Sequence, residues 1–230
     1  MSARFLRLSS GERRQAIVEA VRAVFAEKGF DGTTTRELAK AAGVSEALIY
    51  KHFPSKESLY AAMLDACAKG PAFAEFNRIL TLKASTSTLV MMVHFAISYY
   101  AERHTADPHK AAMNCLITRS LLEDGTFVRL THKKFARAWI AKFQACLKEA
   151  LRAGDLRKAP VRGDLRVWFV QHLGFSLMLH LHPKKPAINY KASKEELIEQ
   201  ATWFALQGVG LKEAAIHRHY NPAALALLAG

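Results

Sequence analysis

A few side chains between Thr33 and Tyr60 have the chemistry to grip a polyanion and, in places, to read it. The guanidinium of Arg36 can fork onto guanine O6 and N7; the plainer alternative is an exposed arginine that stabilises its helix. Glu46 can accept from a cytosine amino group or serve only the start of a helix, where the dipole favours negative charge. Hydroxyls, a lysine at a helix start and free backbone N–H groups, all present in this stretch, suit phosphate oxygens. Leu48 lies beside Ile49, which already supplies an inward face. An outward leucine could meet a thymine methyl, and packing in a small core is the alternative.

Such groups work only if short, rigid elements hold them. Thr34 or Thr35 offers a hydroxyl N-cap to a helix ending near Ala42, and Gly43 follows where the chain must turn with positive φ. Ser45 can cap the next helix, with Glu46 in its first turn. Leu38, Val44 and Ile49 are spaced to face one small core, and Ala39 is small enough for two helices to cross closely. This is a helix-turn-helix. Phe53 reads as core, Pro54 stops the second helix, and Ser55 starts another with Lys56 at its first position. Upstream, Ile17, Val21, Val24 and Phe25 recur at helical spacing between Ser10 and Lys28, ahead of Gly29 and a Phe30 that tucks beneath.

Four runs extend the pattern beyond a bare helix-turn-helix: Phe25-Ala-Glu-Lys-Gly29, Thr33-Thr-Thr-Arg-Glu-Leu-Ala39, Gly43-Val-Ser45, and Ile49-Tyr-Lys-His-Phe-Pro-Ser-Lys-Glu57. Together these resemble the DNA-binding domain of the TetR family of bacterial transcriptional regulators, over roughly residues 12 to 64. The resemblance implies base-facing positions for Arg36, Glu46, Ala47, Leu48 and Tyr50. It implies phosphate contacts for Thr35, Ser45, Tyr50, Lys51, His52 and Lys56. Lys51 stands where many relatives carry an aromatic residue. The fold implied is all-α, with a helix-turn-helix domain at 1–58 and a larger helical effector-binding and dimerisation domain at 59–230. The boundary is placed within a fourth helix, Ser55 to Ala68, that could couple the two halves. Late helices of the family pair across a two-fold axis, so a homodimer on a palindromic operator is implied.

Downstream, only helices are predicted: 85–103, a helix with Pro108 in its first turn closing near Asp124-Gly125, 126–153, 164–182 capped by Asp164, and one opened by a Ser193-x-x-Glu196 capping box. Gly70-Pro71 reads as a break, 183–192 as a loop, and 212–226 as a further helix. The segments 164–182 and 193–209 are apolar on more than one face, as core or interface helices are. Phe204 is assigned to the face of Ile198 and Ala201. Residues 1–9, with Arg4 and Arg7, read as a short basic lead.

The larger half offers Met92, Phe95, Tyr99, Asn114, Trp139, Phe143, Trp168, Gln171, His172, Phe175 and Met178 as candidates for an effector pocket, and the same residues describe an ordinary core. Arg119 could pair an anionic effector, or simply Glu123 or Asp124. The formal charge of +13 divides unevenly: residues 1–58 carry 10 Lys+Arg against 7 Asp+Glu, and the remainder 23 against 13. The basic excess of the larger half therefore reflects either a solvated surface or an anionic ligand.

No cofactor is called for. The pairs His180/His182 and His217/His219 are spaced i, i+2, which points ligands apart on a helix, so no metal is expected. His172 and Ser176 lie one turn apart with no matched carboxylate or nucleophile loop, so no catalytic residue is assigned. Cys67, Cys115 and Cys146 form no motif and suit a reducing cytosol. No run reaches the ~18 apolar residues of a membrane span. The reading is a cytoplasmic DNA-binding regulator, most simply a repressor released by a small molecule. The alternative is an architectural or cell-cycle DNA-binding protein of the same fold with a protein partner.

Overall fold

The computed structural model describes residues 8–68, 71–101, 108–158, 160–181, 185 and 187–228. Arg4, Arg7, Gly70 and His182, named above, lie outside them. The described residues form helices, with one isolated antiparallel bridge between Leu156 and Leu211. They are α1 (Ser10–Lys28), α2 (Thr35–Ala42), α3 (Glu46–His52), α4 (Lys56–Cys67), α5 (Pro71–Thr81), α6 (Thr86–Ala101), α7 (Pro108–Leu122), α8 (Thr126–Thr131), α9 (Arg137–Arg152), α10 (Gly163–Leu181), α11 (Lys194–Val209), α12 (Glu213–His219) and α13 (Pro222–Leu228). They sort into two compact units, one of residues up to 71 with 106–135, the other of 72–105 with 136–230.

In the first unit, α1 opens on a reciprocal capping box between Ser9 and Glu12 and buries Ile17, Val18, Val21 and Phe25. Phe53 and Tyr60 are fully enclosed beside them, and the Tyr60 ring lies 4.8 Å from Phe25, 5.0 Å from Phe30 and 5.0 Å from Phe127. The division by packing thus differs from a cut at residue 58. Leu59, Tyr60, Met63 and Leu64 of α4 bury themselves with α1, and α7 and α8 supply Met113, Leu116 and Phe127 to the same core. Spacing along the chain cannot show that α7, some fifty residues on, returns to this unit.

The second unit is built round α6, which buries residues on all sides: Leu89, Val90, Met92, Val93, Ala96, Ile97 and Tyr100. Helices α9, α10, α11 and α12 pack against it. It crosses α10 closely at Gly174, where a Cβ would come within 2.8 Å of the Ala96 carbonyl oxygen and 3.1 Å of the Tyr100 ring. At its start, Thr86 donates at 2.7 Å to the buried carboxylate of Asp155, which also receives Arg218 at 3.1 Å. Burial alone would raise that carboxyl's pKa. The Thr86 hydroxyl, with Arg218 and His219, brings it below the ordinary value instead. The Arg157 N–H bonds the Gly210 carbonyl and the Lys212 N–H the Asp155 carbonyl, so the stretch after α9 is stitched to the α11–α12 turn.

Several boundaries differ from the sequence reading, each for a local reason. Pro71 begins a helix of its own, as its fixed φ and missing N–H permit at a first position. The predicted helix 126–153 contains a π-helical turn at His132–Ala136 between α8 and α9. Asp164 lies inside the first turn of α10 and pairs with Arg162 rather than serving as the cap. Ser193 caps α11, accepting from the Glu196 N–H at 3.1 Å, which is one of the two bonds of the expected capping box. The segment 212–226 breaks at Tyr220-Asn221 ahead of Pro222, giving α12 and α13. Phe204 is not on the face of Ile198 and Ala201: those pack inward with Thr202 and Ala205, and Phe204 stands 66% exposed.

Candidate nucleic-acid interface

Helices α2 and α3 are fixed at their ends and free on one side. Thr34 and Glu37 form a complete capping box at the start of α2, and Glu37 also takes an ion pair from Lys28 at 2.5 Å. The Lys28 hydrogen bond and then the Thr34 bonds hold the Glu37 carboxyl down at a pKa of about 2. Gly43 turns the chain at φ 64°, and its N–H closes α2 on Ala39 and Lys40 carbonyls. Ser45 then accepts the Leu48 N–H at 3.2 Å, leaving its own hydroxyl proton for an outside acceptor. Leu38 and Ile49 are buried between the two helices, and Phe53 closes α3 below.

What remains outward is Arg36 and Lys40 of α2 with Glu46, Ala47, Tyr50 and Lys51 of α3, all exposed. Arg36, Glu46 and Lys51 engage no other side chain or carbonyl among the described residues, so their donors and acceptors face solvent. Tyr50 is half exposed, and its hydroxyl lies 3.0 Å from that of Thr35, linking the two helices at their outer edge. Leu48 is half-buried, between the two alternatives raised for it. His52 is half-buried with its ring tilted against Phe53. Lys56 differs from the rest of the phosphate set: its ammonium donates to the carbonyls of Phe30 at 2.6 Å and Thr33 at 2.9 Å. Two of its three N–H bonds are thereby used inside the unit. Lys40 was not singled out from sequence; its place one turn beyond Arg36 was the available signal.

The residues named for an effector pocket do not gather in one place. Asn114 and Arg119 belong to α7 and the first unit. Arg119 pairs with Glu123 at 2.5 Å, the plainer of its two alternatives, and Asn114 is buried with its side-chain oxygen unpartnered. Met92 and Phe143 are fully enclosed core residues, and Met178 is buried as well. The others lie along or beside a run of rings within the second unit, half-buried except for the buried Tyr100 and the exposed His172. Trp139 lies 5.0 Å from Phe76 and 5.6 Å from Phe95, Phe95 lies 5.8 Å from Tyr99, and Tyr100 stands edge-on to Phe175 at 5.9 Å. Burial pushes the Tyr100 hydroxyl up to about 12 against a weak opposing bond from Gln171. Trp168 stacks on an exposed His172 at 6.3 Å. Phe73 and Phe76 were missed because α5 itself was not read from the sequence.

Residues 17–63 match the family described as bacterial regulatory proteins, tetR family. The chain carries a TetR-family DNA-binding domain. The chain is 26% identical over 148 residues to the nucleoid occlusion factor SlmA of Marinobacter nauticus, covering 64% of this chain and 70% of that one. It is 32% identical over 74 residues to the biofilm operon negative transcriptional regulator IcaR of Staphylococcus aureus strain Newman, 32% of this chain and 37% of the relative. The aligned stretches thus range from about a third to 70% of these relatives' lengths. Among solved structures, AibR in complex with isovaleryl coenzyme A and operator DNA superposes with a TM-score of 0.60 at 17% identity, covering 84% of this chain and 97% of the other. At that identity the likeness is one of fold. No helix among the described residues is long and apolar enough to cross a membrane.

Proposed function

We propose that this TetR-type regulator is a homodimeric repressor that holds a palindromic operator and releases it when a small ligand occupies its C-terminal unit. The observation that carries the reading is the outward face of α2 and α3. Arg36, Glu46, Ala47, Tyr50 and Lys51 project from helices whose opposite sides are capped and buried. Arg36 and Glu46 read base edges in the major groove. Thr35, Ser45, Lys51 and His52 meet phosphates, and Lys56 mainly holds the domain that presents them. A second copy supplies the other half-site. Its seat is the outward row of α10, Leu165, Phe169 and Leu179, with Phe204 of α11, an exposed apolar set that a lone protomer leaves wet. The half-buried aromatic run from Phe76 to Phe175 suits an apolar ligand, and ligand and DNA then compete through one conformational equilibrium. Selection from random duplexes with the full chain tests the proposal: an enriched inverted repeat is expected, and no enrichment over input rejects it.

The alternative is an architectural or cell-cycle role with a protein partner. It is favoured by one observation, that the similarity to the Marinobacter nucleoid occlusion factor runs well past the DNA-binding residues. Chromosome-wide mapping of bound sites separates the two. Many dispersed sites favour the architectural role, and one or a few promoter sites favour the repressor.

A further inference from the structure

Arg14 lies on α1, outside the helix-turn-helix, yet its guanidinium reaches the far end of α3. One terminal nitrogen donates to the His52 carbonyl oxygen at 2.7 Å, and the guanidinium carbon lies 4.2 Å from the centroid of the buried Phe53 ring. His52 is the last residue of α3 and Phe53 its C-cap, so the contact falls where a helix leaves carbonyls without intrahelical partners and carries partial negative charge. A seven-residue helix has few internal bonds to fix its axis. Ser45 holds its beginning, and Arg14 supplies a charge-assisted bond and a cation over the Phe53 ring at its end. Because the acceptor is backbone, the contact acts on the helix itself and not on one side chain.

We infer that Arg14 is a positioning residue for sequence discrimination: it fixes the C-terminal end of α3, so that Glu46, Ala47 and Tyr50 meet base edges in one register. It binds no phosphate in this role. The inference rests on the DNA-reading assignment above.

The test uses the full chain with two probes, a duplex enriched by the wild type from a random pool and a random duplex of equal length. Arg14→Ala lowers affinity for the enriched duplex about tenfold, less than the full worth of two such bonds, because the contact is exposed and positions the reading face without itself touching DNA. Affinity for the random duplex and its salt dependence stay as in the wild type. Hydrogen exchange of the α3 amides accelerates in the free protein, and Arg14→Lys, which keeps a cationic donor, recovers part of the discrimination. A parallel loss on both duplexes with a salt slope reduced by about 1.8, the value for two lost phosphate contacts, overturns the inference in favour of direct contact. Unchanged discrimination and unchanged exchange overturn it outright. If Arg14→Ala does not fold, Arg14→Met, which keeps an unbranched apolar stem without a donor, carries the same comparison, and a wild-type operator-to-random ratio rejects the role. Should the wild type enrich no sequence, the DNA-reading assignment fails and this inference with it; accelerated α3 exchange in the variant would still locate the failure in the DNA reading and not in the Arg14 contact.

Discussion

Lys56 donates to the carbonyl of Phe30 at 2.6 Å while its ammonium lies 4.3 Å from the centroid of the same residue's ring. One cation thus holds both the backbone and the side chain of Phe30, two residues beyond α1, and a second bond at 2.9 Å adds the Thr33 carbonyl just before α2. The prediction is that Lys56→Ala destabilises the N-terminal unit by about 1.5–3 kcal/mol, the range for a hydrogen bond from a charged group. Urea unfolding monitored in that unit reads the loss. A stability equal to wild type, with DNA affinity lowered on every sequence and a shallower salt slope, would return Lys56 to a pure phosphate role.

Arg36 is the opposite case, exposed and without an internal partner among the described residues. Its removal therefore leaves the fold alone. Arg36→Ala is predicted to cost about 1–3 kcal/mol on the enriched operator and much less on random DNA, as for a lost bidentate base contact. Equal losses on both duplexes, measured by titration at one salt concentration, would instead mark Arg36 as a backbone contact.

The Glu37 carboxyl makes a pH prediction. With its folded pKa at about 2 against an ordinary value of 4.5, its contribution is fully present above 4.5 and is lost as pH falls through about 2. The α2 cap should therefore survive mild acid. Carboxyl-detected NMR of the full chain should show Glu37 titrating near 2 in the wild type. In Lys28→Ala the midpoint should climb towards the ordinary value, because the Lys28 bond is the largest of its causes. A midpoint unmoved by that substitution would assign the depression to Thr34 alone.

Phe204 tests the proposed pairing of protomers with little risk to the fold, since it is exposed within one chain. Phe204→Asp should leave the thermal transition of the protomer's own core intact while placing two unpaired carboxylates in a symmetric contact, at several kcal/mol. Analytical ultracentrifugation should show monomers, and operator binding should fall with every DNA-facing residue unchanged. A variant that remains dimeric with wild-type operator affinity would put the two-fold contact elsewhere.

The N-terminal helices were legible because their signals are local. Thr34, Gly43, Ser45 and Ser55 each act within four residues of where they stand, and the observed caps and the positive φ at Gly43 fall where those side chains require them. What escaped is long-range. Nothing near Met113, Leu116 or Phe127 says that they pack with Phe25 and Tyr60, and the apolar periodicity of α11 could not say which of two hydrophobic faces turns inward, so Phe204 was put on the wrong one. The π turn at His132–Ala136 interrupts an apolar pattern that continues on both sides. The outward set was identifiable as residue types, but the engagement of Lys56 by two carbonyls depends on a loop twenty-odd residues away.

The brevity of α3 limits how much a single head can know. Seven residues at about 1.5 Å of rise make a rod of roughly 10 Å, alongside about three base pairs at ~3.4 Å each. At about two bits per fully specified pair, one head yields roughly 6 bits and two yield roughly 12, whereas singling out one site among ~10⁶ competitors takes about 20. In the proposed homodimer the deficit would be met outside α3: by Arg36 on the neighbouring helix, by a fixed spacing between half-sites, and by the bendability of the DNA between them. The operator should accordingly show information at positions that α3 cannot touch.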